Sequence, residues 1–330
     1  MGRTAMVLAL LVAAAACGGE AETTTSGSQP AGTTTQATTT TSVPPTTTTV
    51  PEVTTTTVPA TTTTVPPATT TSLAGSVTSL PVVAAGDGVV GWWDGSEWIE
   101  ATGGPPVPAS GGEEYQLLLL SEPVALAIGG EPGPGCEFVE GSADVPIDFG
   151  ELDGSDWPRP RPVAVSASWN VQPYPVTVLD PVPEVYVGAA SELLASRGID
   201  DRAPTIVQAI RTDLEGDGVE EAFVVAERQA NGSLNPAAVG DYSVAFMRKV
   251  VDEVVETAVL ELFVVEEPEV EGAIIALDVF RFDAFGDLNG DGIMEFAVDD
   301  QYYEGSSTTI WQYVDDDLGP VPVMAVGCGV

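Results

Sequence analysis

Two nine-residue stretches, Asp213-Leu-Glu-Gly-Asp-Gly-Val-Glu-Glu221 and Asp287-Leu-Asn-Gly-Asp-Gly-Ile-Met-Glu295, constrain this chain more than any other feature. Each places side-chain oxygens at positions 1, 3, 5 and 9 and offers a main-chain carbonyl at position 7. Oxygens at that spacing let a short loop wrap a hard cation such as Ca²⁺. Glycines at positions 4 and 6 allow the sharp turns that aim the oxygens inward. The first residues lie 74 positions apart and Asp-Leu-x-Gly-Asp-Gly recurs in both, so the loops also mark an internal repeat. The alternative for either stretch is an Asp-Gly turn that holds no metal.

In a helix–loop–helix calcium site, position 12 is a glutamate and helices lie on both sides. Here position 12 is Val224 or Val298. The residues after each loop, Ala222-Phe-Val-Val-Ala226 and Phe296-Ala-Val298, are short, apolar and β-like. Further β-like segments fall at 242–251, 254–265, 273–285, 308–314 and 321–326. That makes about four strands per unit, the size of a propeller blade.

With these residues the chain resembles the FG-GAP/VCBS repeat family, whose signature is a strand, an Asp-x-Asx-Gly-Asp-Gly-x-x-Asp/Glu loop and an apolar strand. The resemblance covers the two loops and their flanking strands. It implies a first calcium set of Asp213, Glu215, Asp217, the Val219 carbonyl and Glu221. It implies a second of Asp287, Asn289, Asp291, the Ile293 carbonyl and Glu295. Glu215 departs from the Asp or Asn usual at position 3, and its longer side chain must fold back, so the first site is expected to be weaker or distorted. Such units often build seven-bladed propellers, for which this chain is too short. The expected fold is mainly β (α+β with one covering helix), built as packed sheets or a small propeller-like array.

The amino terminus points outside the cytoplasm. Arg3 precedes an apolar run over 5–16, too short to span a bilayer but suited to a signal peptide. Ala14-Ala15-Ala16-Cys17 resembles the lipobox of bacterial lipoproteins, which implies removal of 1–16 and acylation of Cys17. Plain secretion is the alternative, since Ala14-x-Ala16 is also a cleavage pattern. Residues 17–75 are rich in Thr and Pro and offer little to bury, so they read as a disordered tether. At about 3 Å per residue the tether could reach on the order of 150 Å. It is also a candidate for O-glycosylation.

The remainder divides into a β-rich subdomain over 76–180 and, over 181–330, a helix followed by the two loop units. The helix is read from Tyr186, Ala190, Leu193 and Leu194 on one face, with Pro183 near its start and Gly198 at its end. Trp92-Trp-Asp-Gly-Ser-Glu-Trp98 reads as a hairpin turning at Asp94-Gly95. Residues 117–120 and 124–128 read as buried.

Composition excludes several functions. Ten Lys+Arg face 49 Asp+Glu, a formal net charge of −39, and Lys249 is the only lysine. Such a surface repels nucleic acid and anionic lipid headgroups; it suits divalent cations, high salt or a basic partner. The absence of histidine removes Ser-His-Asp and Cys-His nucleophiles and His-ligated zinc. No Gly-rich phosphate loop with a lysine is present. With Cys17 acylated, Cys136 and Cys328 remain, and an oxidising compartment favours their disulfide.

The expectation is therefore a non-enzymatic cell-surface lipoprotein with a calcium-stabilised β fold and a binding or structural role. Its partners would be the membrane, through its lipid anchor, and cell-wall polysaccharide or another surface protein. The alternative is a carbohydrate-binding or wall-modifying protein, with Trp92, Trp93 and Trp98 as an aromatic platform. Cys17→Ser is expected to move the protein from the membrane fraction to the medium or to block its maturation. A wild-type chain already soluble in the medium, with no acyl mass on its first peptide, would overturn the anchor.

Overall fold

The computed structural model describes residues 80–120, 122–148, 160–267, 275–314 and 319–329. The expected signal peptide, Cys17 and the tether lie outside the described residues. Among the described residues the architecture is mainly β: three antiparallel sheets, one small ribbon and one helix, with no closed barrel.

Sheet I uses β1 (Val82–Ala85), β2 (Gly88–Trp93), β3 (Trp98–Glu100), β4 (Glu114–Leu118), β5 (Ala125–Ile128) and β8 (Val163–Val165), in the order β3-β2-β1-β8-β4-β5. Between β5 and β8 lies a ribbon of β6 (Gly133–Pro134) and β7 (Ala143–Asp144). Then come β9 (Thr177–Val178) and α1 (Glu184–Ser196). Sheet II runs β13-β12-β11-β10-β9, from β10 (Thr205–Thr212), β11 (Glu221–Arg228), β12 (Tyr242–Val251) and β13 (Val254–Val264). Sheet III is the meander β14 (Val279–Gly286), β15 (Glu295–Tyr302), β16 (Gly305–Gln312) and β17 (Val321–Gly329).

The 74-residue repeat is visible in the strands. Shifting β10 (205–212) and β11 (221–228) by 74 gives the bounds of β14 (279–286) and β15 (295–302). Thr212 pairs with Glu221 across the first loop, and Gly286 with Glu295 across the second. Each loop thus closes a hairpin in the same register, and each repeat contributes a four-stranded meander.

Sheet III, last in the chain, lies between the other two. Successive strand residues point to opposite faces, and here both faces are apolar. Phe282, Phe296, Val298 and Trp311 pack with Ile210, Phe223 and Met247 of sheet II. Ala297, Ile310, Met324 and Val326 pack with Val83, Val90, Leu118 and Val165 of sheet I. A bulge at Asp283 shifts the β14–β15 register, so Ala284 faces sheet I while Phe285 faces sheet II. The sheet II–sheet III core centres on Phe223, whose ring meets Phe282, Phe285 and Phe296 edge-on at 4.7–5.3 Å.

The outer face of sheet II is covered by α1. Tyr186, Ala190 and Leu194 are buried against Ala209, Val224 and Phe246, while Leu193 is only partly buried. Pro183 precedes the helix, where a missing N–H is harmless, and Gly198 follows at φ +83. Several sequence expectations are corrected in detail. Residues 124–128 are not a buried run: β5 is an edge strand with Leu126 and Ile128 about 60% exposed. Strand β14 begins at Val279 rather than 273, and β16 at Gly305 rather than 308. Sheet I, from the earlier segment, and sheet III, from the later one, share a core.

Cys136, in the turn after β6, is bonded to Cys328 of β17, with Cα atoms 5.5 Å apart. The bond spans a sequence separation of 192 and ties the segment between β6 and β7 to the last strand. In the chain-entropy account a closure this long contributes about 5 kcal/mol.

Phe223→Ala should cost about 3–5 kcal/mol, the price of a large cavity at the centre of the aromatic cluster. Leu126→Ala, on the exposed edge, should stay within about 0.5 kcal/mol. Denaturant unfolding of the two variants checks both; equal effects would mean the core lies elsewhere.

Candidate metal loops

The two loops carry the same internal hydrogen bonds. The position-4 amide (Gly216, Gly290) donates to the position-1 carboxylate at 2.6 Å in each. The position-6 amide (Gly218, Gly292) donates to the other oxygen of that carboxylate, at 2.9 and 3.1 Å. The position-7 amide (Val219, Ile293) donates to the position-5 aspartate at 2.7 and 2.8 Å. The position-2 amide (Leu214, Leu288) donates to the position-9 glutamate at 3.0 and 2.8 Å. Asp213 and Asp287 thus organise their turns, and Glu221 and Glu295 close them.

The glycines at position 4 are required on two counts. Gly216 and Gly290 lie at φ +74 and +85, where a side chain is strained. Each also lies beneath an aromatic ring: a Cβ on Gly216 would collide with Tyr174, and one on Gly290 would press on Trp169 at 3.3 Å. Both rings come from the segment between β8 and β9. That segment fastens the second loop further, since Trp169 Nε1 donates to the Asp287 carbonyl at 2.8 Å and Asp287 N to Val171 O at 2.7 Å. The loops touch each other as well: Met294 N, in the second, donates to Leu214 O, in the first, at 2.9 Å.

Electrostatics follows burial. Glu295 is 0% exposed, and burial pushes its carboxyl well above the usual range, with Asp291 and Asp287 adding repulsion. Burial likewise pushes Glu221 up to about 7, aided by the charges of Glu215 and Asp213. Asp287 is raised chiefly by burial. A divalent cation among these groups would reverse that trend, because it favours their charged forms.

In kind, the donor set fits a hard cation: carboxylates, one amide oxygen and main-chain carbonyls. In placement, it is not gathered. Among the described residues no group of three or more His, Cys, Asp or Glu side chains converges closely enough to hold a metal ion. In the second loop Asn289 Nδ2 stands between Asp291 Oδ2 at 3.1 Å and Glu295 Oε1 at 3.2 Å, while its Oδ1 accepts from Asp291 N. To coordinate a cation there, Asn289 would have to turn its amide end for end and the two carboxylates draw in. The structure therefore brings together the residues of each predicted set in one turn, without assembling them into a coordination shell.

Of the three tryptophans proposed as a platform, one is buried and two are half-buried. Trp92 is buried in sheet I. Trp93 and Trp98 pack edge-on at 5.0 Å, and Trp98 Nε1 bonds Gln312 Oε1 of sheet III at 3.2 Å. Nothing in the local sequence signalled the rings of Trp169 and Tyr174 over the loops; they arrive through tertiary packing. Compared with protein-family models, with curated proteins and with solved structures, the chain matches none.

A second acidic group lies apart from the loops. Asp300 of β15 has a buried Oδ1 without a hydrogen-bond partner among the described residues. Burial, with Asp278 and Glu261 adding repulsion, pushes its carboxyl up to about 7. Its folded pKa thus lies above its unfolded value, so the folded state binds the extra proton. Stability should fall as pH rises from about 4 to 7 and stay lowered above that. Asp300→Asn should raise the melting temperature at pH 8 and progressively less toward pH 4. A gain independent of pH would show that charge is not the cause.

Proposed function

We propose that this chain is an extracytoplasmic lipoprotein, held to the membrane through Cys17, whose β-rich region is stabilised by Ca²⁺ at residues 213–221 and 287–295. Its role is binding or structural at the cell surface, with the tether setting the working distance. The observation that carries the reading is the identity of the two loops. The same four hydrogen bonds recur, in the same hairpin register, 74 residues apart, each with a buried glutamate at position 9. A plain turn has no need to bury that carboxylate, and burial without a counter-charge is costly.

When bound, calcium would supply charge neutralisation and a rigid link between the strands of each hairpin. The protein's part is to hold the oxygens. Asp213 and Asp287 anchor positions 1, Asp217 and Asp291 the far side of each loop, and Glu221 and Glu295 the strand side. Because Met294 and Leu214 join the loops directly, ordering one loop should help to order the other.

Calcium at about a hundred times its Kd should stabilise the fold by about 2.7 kcal/mol per site. Melting temperature should rise with Ca²⁺ and less with Mg²⁺, which demands a tighter octahedral shell. Asp291→Ala should remove much of the rise. A melt indifferent to chelation, or calorimetry without heat at millimolar Ca²⁺, would overturn the reading.

A further inference from the structure

Where sheet I meets sheet III, the charges do not balance. Arg161, just before β8, directs its guanidinium at Asp87 in the β1–β2 turn, with Nη1 donating to Oδ1 at 3.4 Å and Nη2 to Oδ2 at 3.1 Å. Nη2 also donates to Asp299 Oδ1 of β15. The main-chain N–H of the same residue donates to Asp283 Oδ1, on the β14 bulge, at 2.9 Å. Three carboxylates thus gather around one guanidinium in a place that water hardly reaches: all three are buried or nearly so, and Asp283 is 1% exposed. From the other elements, Arg281 of β14 acts on Asp283 while paired with Glu227 of sheet II. Tyr302 of β15 and Ser306 of β16 face Asp87.

The three acids are not equivalent. Asp87 has the guanidinium and also accepts from Ser306 Oγ at 2.9 Å. Asp299 has the guanidinium. Asp283 has only a main-chain N–H, and its Oδ2 has no hydrogen-bond partner among the described residues. An ionised carboxylate so placed lacks both solvent and a full set of donors. Burial pushes the Asp283 carboxyl up to about 7, and Asp87 adds repulsion; the Arg161 amide, its guanidinium and Arg281 pull the other way.

We propose that Asp283 is a proton-controlled latch between sheets I and III: protonated, it leaves the Arg161 guanidinium to Asp87 and Asp299 and the junction closed; ionised, it adds a third negative charge that favours local opening to water. The opening stays local, because the Cys136–Cys328 disulfide also ties the segment between β6 and β7 to β17. The latch is independent of the calcium reading, since Asp283 lies outside both loops. Its direction follows from linkage. The closed junction holds the proton to higher pH than an opened or unfolded chain, in which the carboxyl returns toward 3.8. The stabilisation is complete below about pH 4 and is lost as pH rises through about 7. One proton released per opening makes the open fraction rise about tenfold per pH unit across that window.

The Arg161 amide is the reporter, because it exchanges with solvent when its bond to Asp283 across the junction breaks. Hydrogen exchange of the full chain, followed by NMR, compares the wild type with Asp283→Asn at equal pH, so that intrinsic exchange and the other titrating groups, Asp300 included, cancel in the ratio. The wild-type-to-variant ratio of protection at Arg161 is expected to fall about tenfold per pH unit between about pH 5 and 7 and to level off above. A second measurement needs no variant: in wild-type chain labelled with carbon-13 aspartate, the Asp283 carboxyl should titrate at about 7. A protection ratio that does not change with pH, or an Asp283 carboxyl that titrates in the ordinary aspartate range, would overturn the latch.

Discussion

A sheet that is apolar on both faces has to be covered twice, and sheet III imposes that requirement on everything else. Phe282 and Phe296 cannot be left to water on one side, nor Ile310 and Met324 on the other. At roughly 1.5–3 kcal/mol for each large side chain buried, neither face is dispensable. Sheets I and II are therefore less independent domains than two covers for a common centre. The polar ties at the junctions fit this account. Gln208 of sheet II exchanges two hydrogen bonds of 2.8 Å with the Phe282 backbone of sheet III. Arg281 of sheet III meets Glu227 of sheet II, and Ser243 accepts from Phe280 N. On the other side, Arg161 joins Asp87 of sheet I to Asp299 of sheet III. Paired groups of this kind fix how the sheets slide over one another, since apolar contact alone does not specify register.

The loops sit at the ends of the hairpins that this packing holds. Leu214 and Leu288, the second residue of each loop, are buried in the two different cores. The loops are consequently anchored from below by the apolar contacts and from above by Trp169 and Tyr174. The glutamate at position 9 is both the first residue of a buried strand and the acceptor for the loop's second amide. This dual position is why its carboxylate is driven toward neutrality. It belongs by backbone to the core and by chemistry to the loop.

Local signals were legible where the determinant is local. The two loops, their flanking strands, the helix with Pro183 and Gly198, and the turn at Asp94 all follow from spacing, propensity and turn chemistry. Asp94 accepts from Ser96 N and Glu97 N, as a side chain that initiates a turn does. The rest depends on contacts far apart in sequence. That β8 inserts between β1 and β4 could not be read, because its three residues Val163, Ala164 and Val165 look like any apolar run. The edge position of β5 was hidden for the same reason: Leu126 and Ile128 read as core until their partner strand is known to lie on one side only. The bulge at Asp283, which puts Phe282 and Phe285 on the same face although they are three residues apart, leaves no signature in the sequence. The candidate ligand residues were legible as a spacing; their incomplete convergence was not, because it depends on where each carboxylate is held and, in the second loop, on the orientation of the Asn289 amide.

The few cations show how charge is used in this molecule. With 10 basic side chains against 49 acidic ones, an arginine distributed at random would meet acids everywhere on the surface. Arg161 and Arg281 instead sit at the sheet I–sheet III and sheet II–sheet III junctions, each with little side-chain exposure. Removing one partner from such a buried pair leaves an uncompensated charge, which costs far more than a surface pair ever contributes. The acids that remain unmatched are mostly exposed and repel one another through solvent, where salt screens them. The internal acids are different, because screening does not reach them. Those at the junctions have an arginine, and those in the loops have only amides. This asymmetry separates the loop acids from the junction pairs: among the described residues Glu221 and Glu295 meet amides where Glu227 and Asp299 meet an arginine, so a cation that neutralises them would have to come from outside those pairs, or their protons would stay.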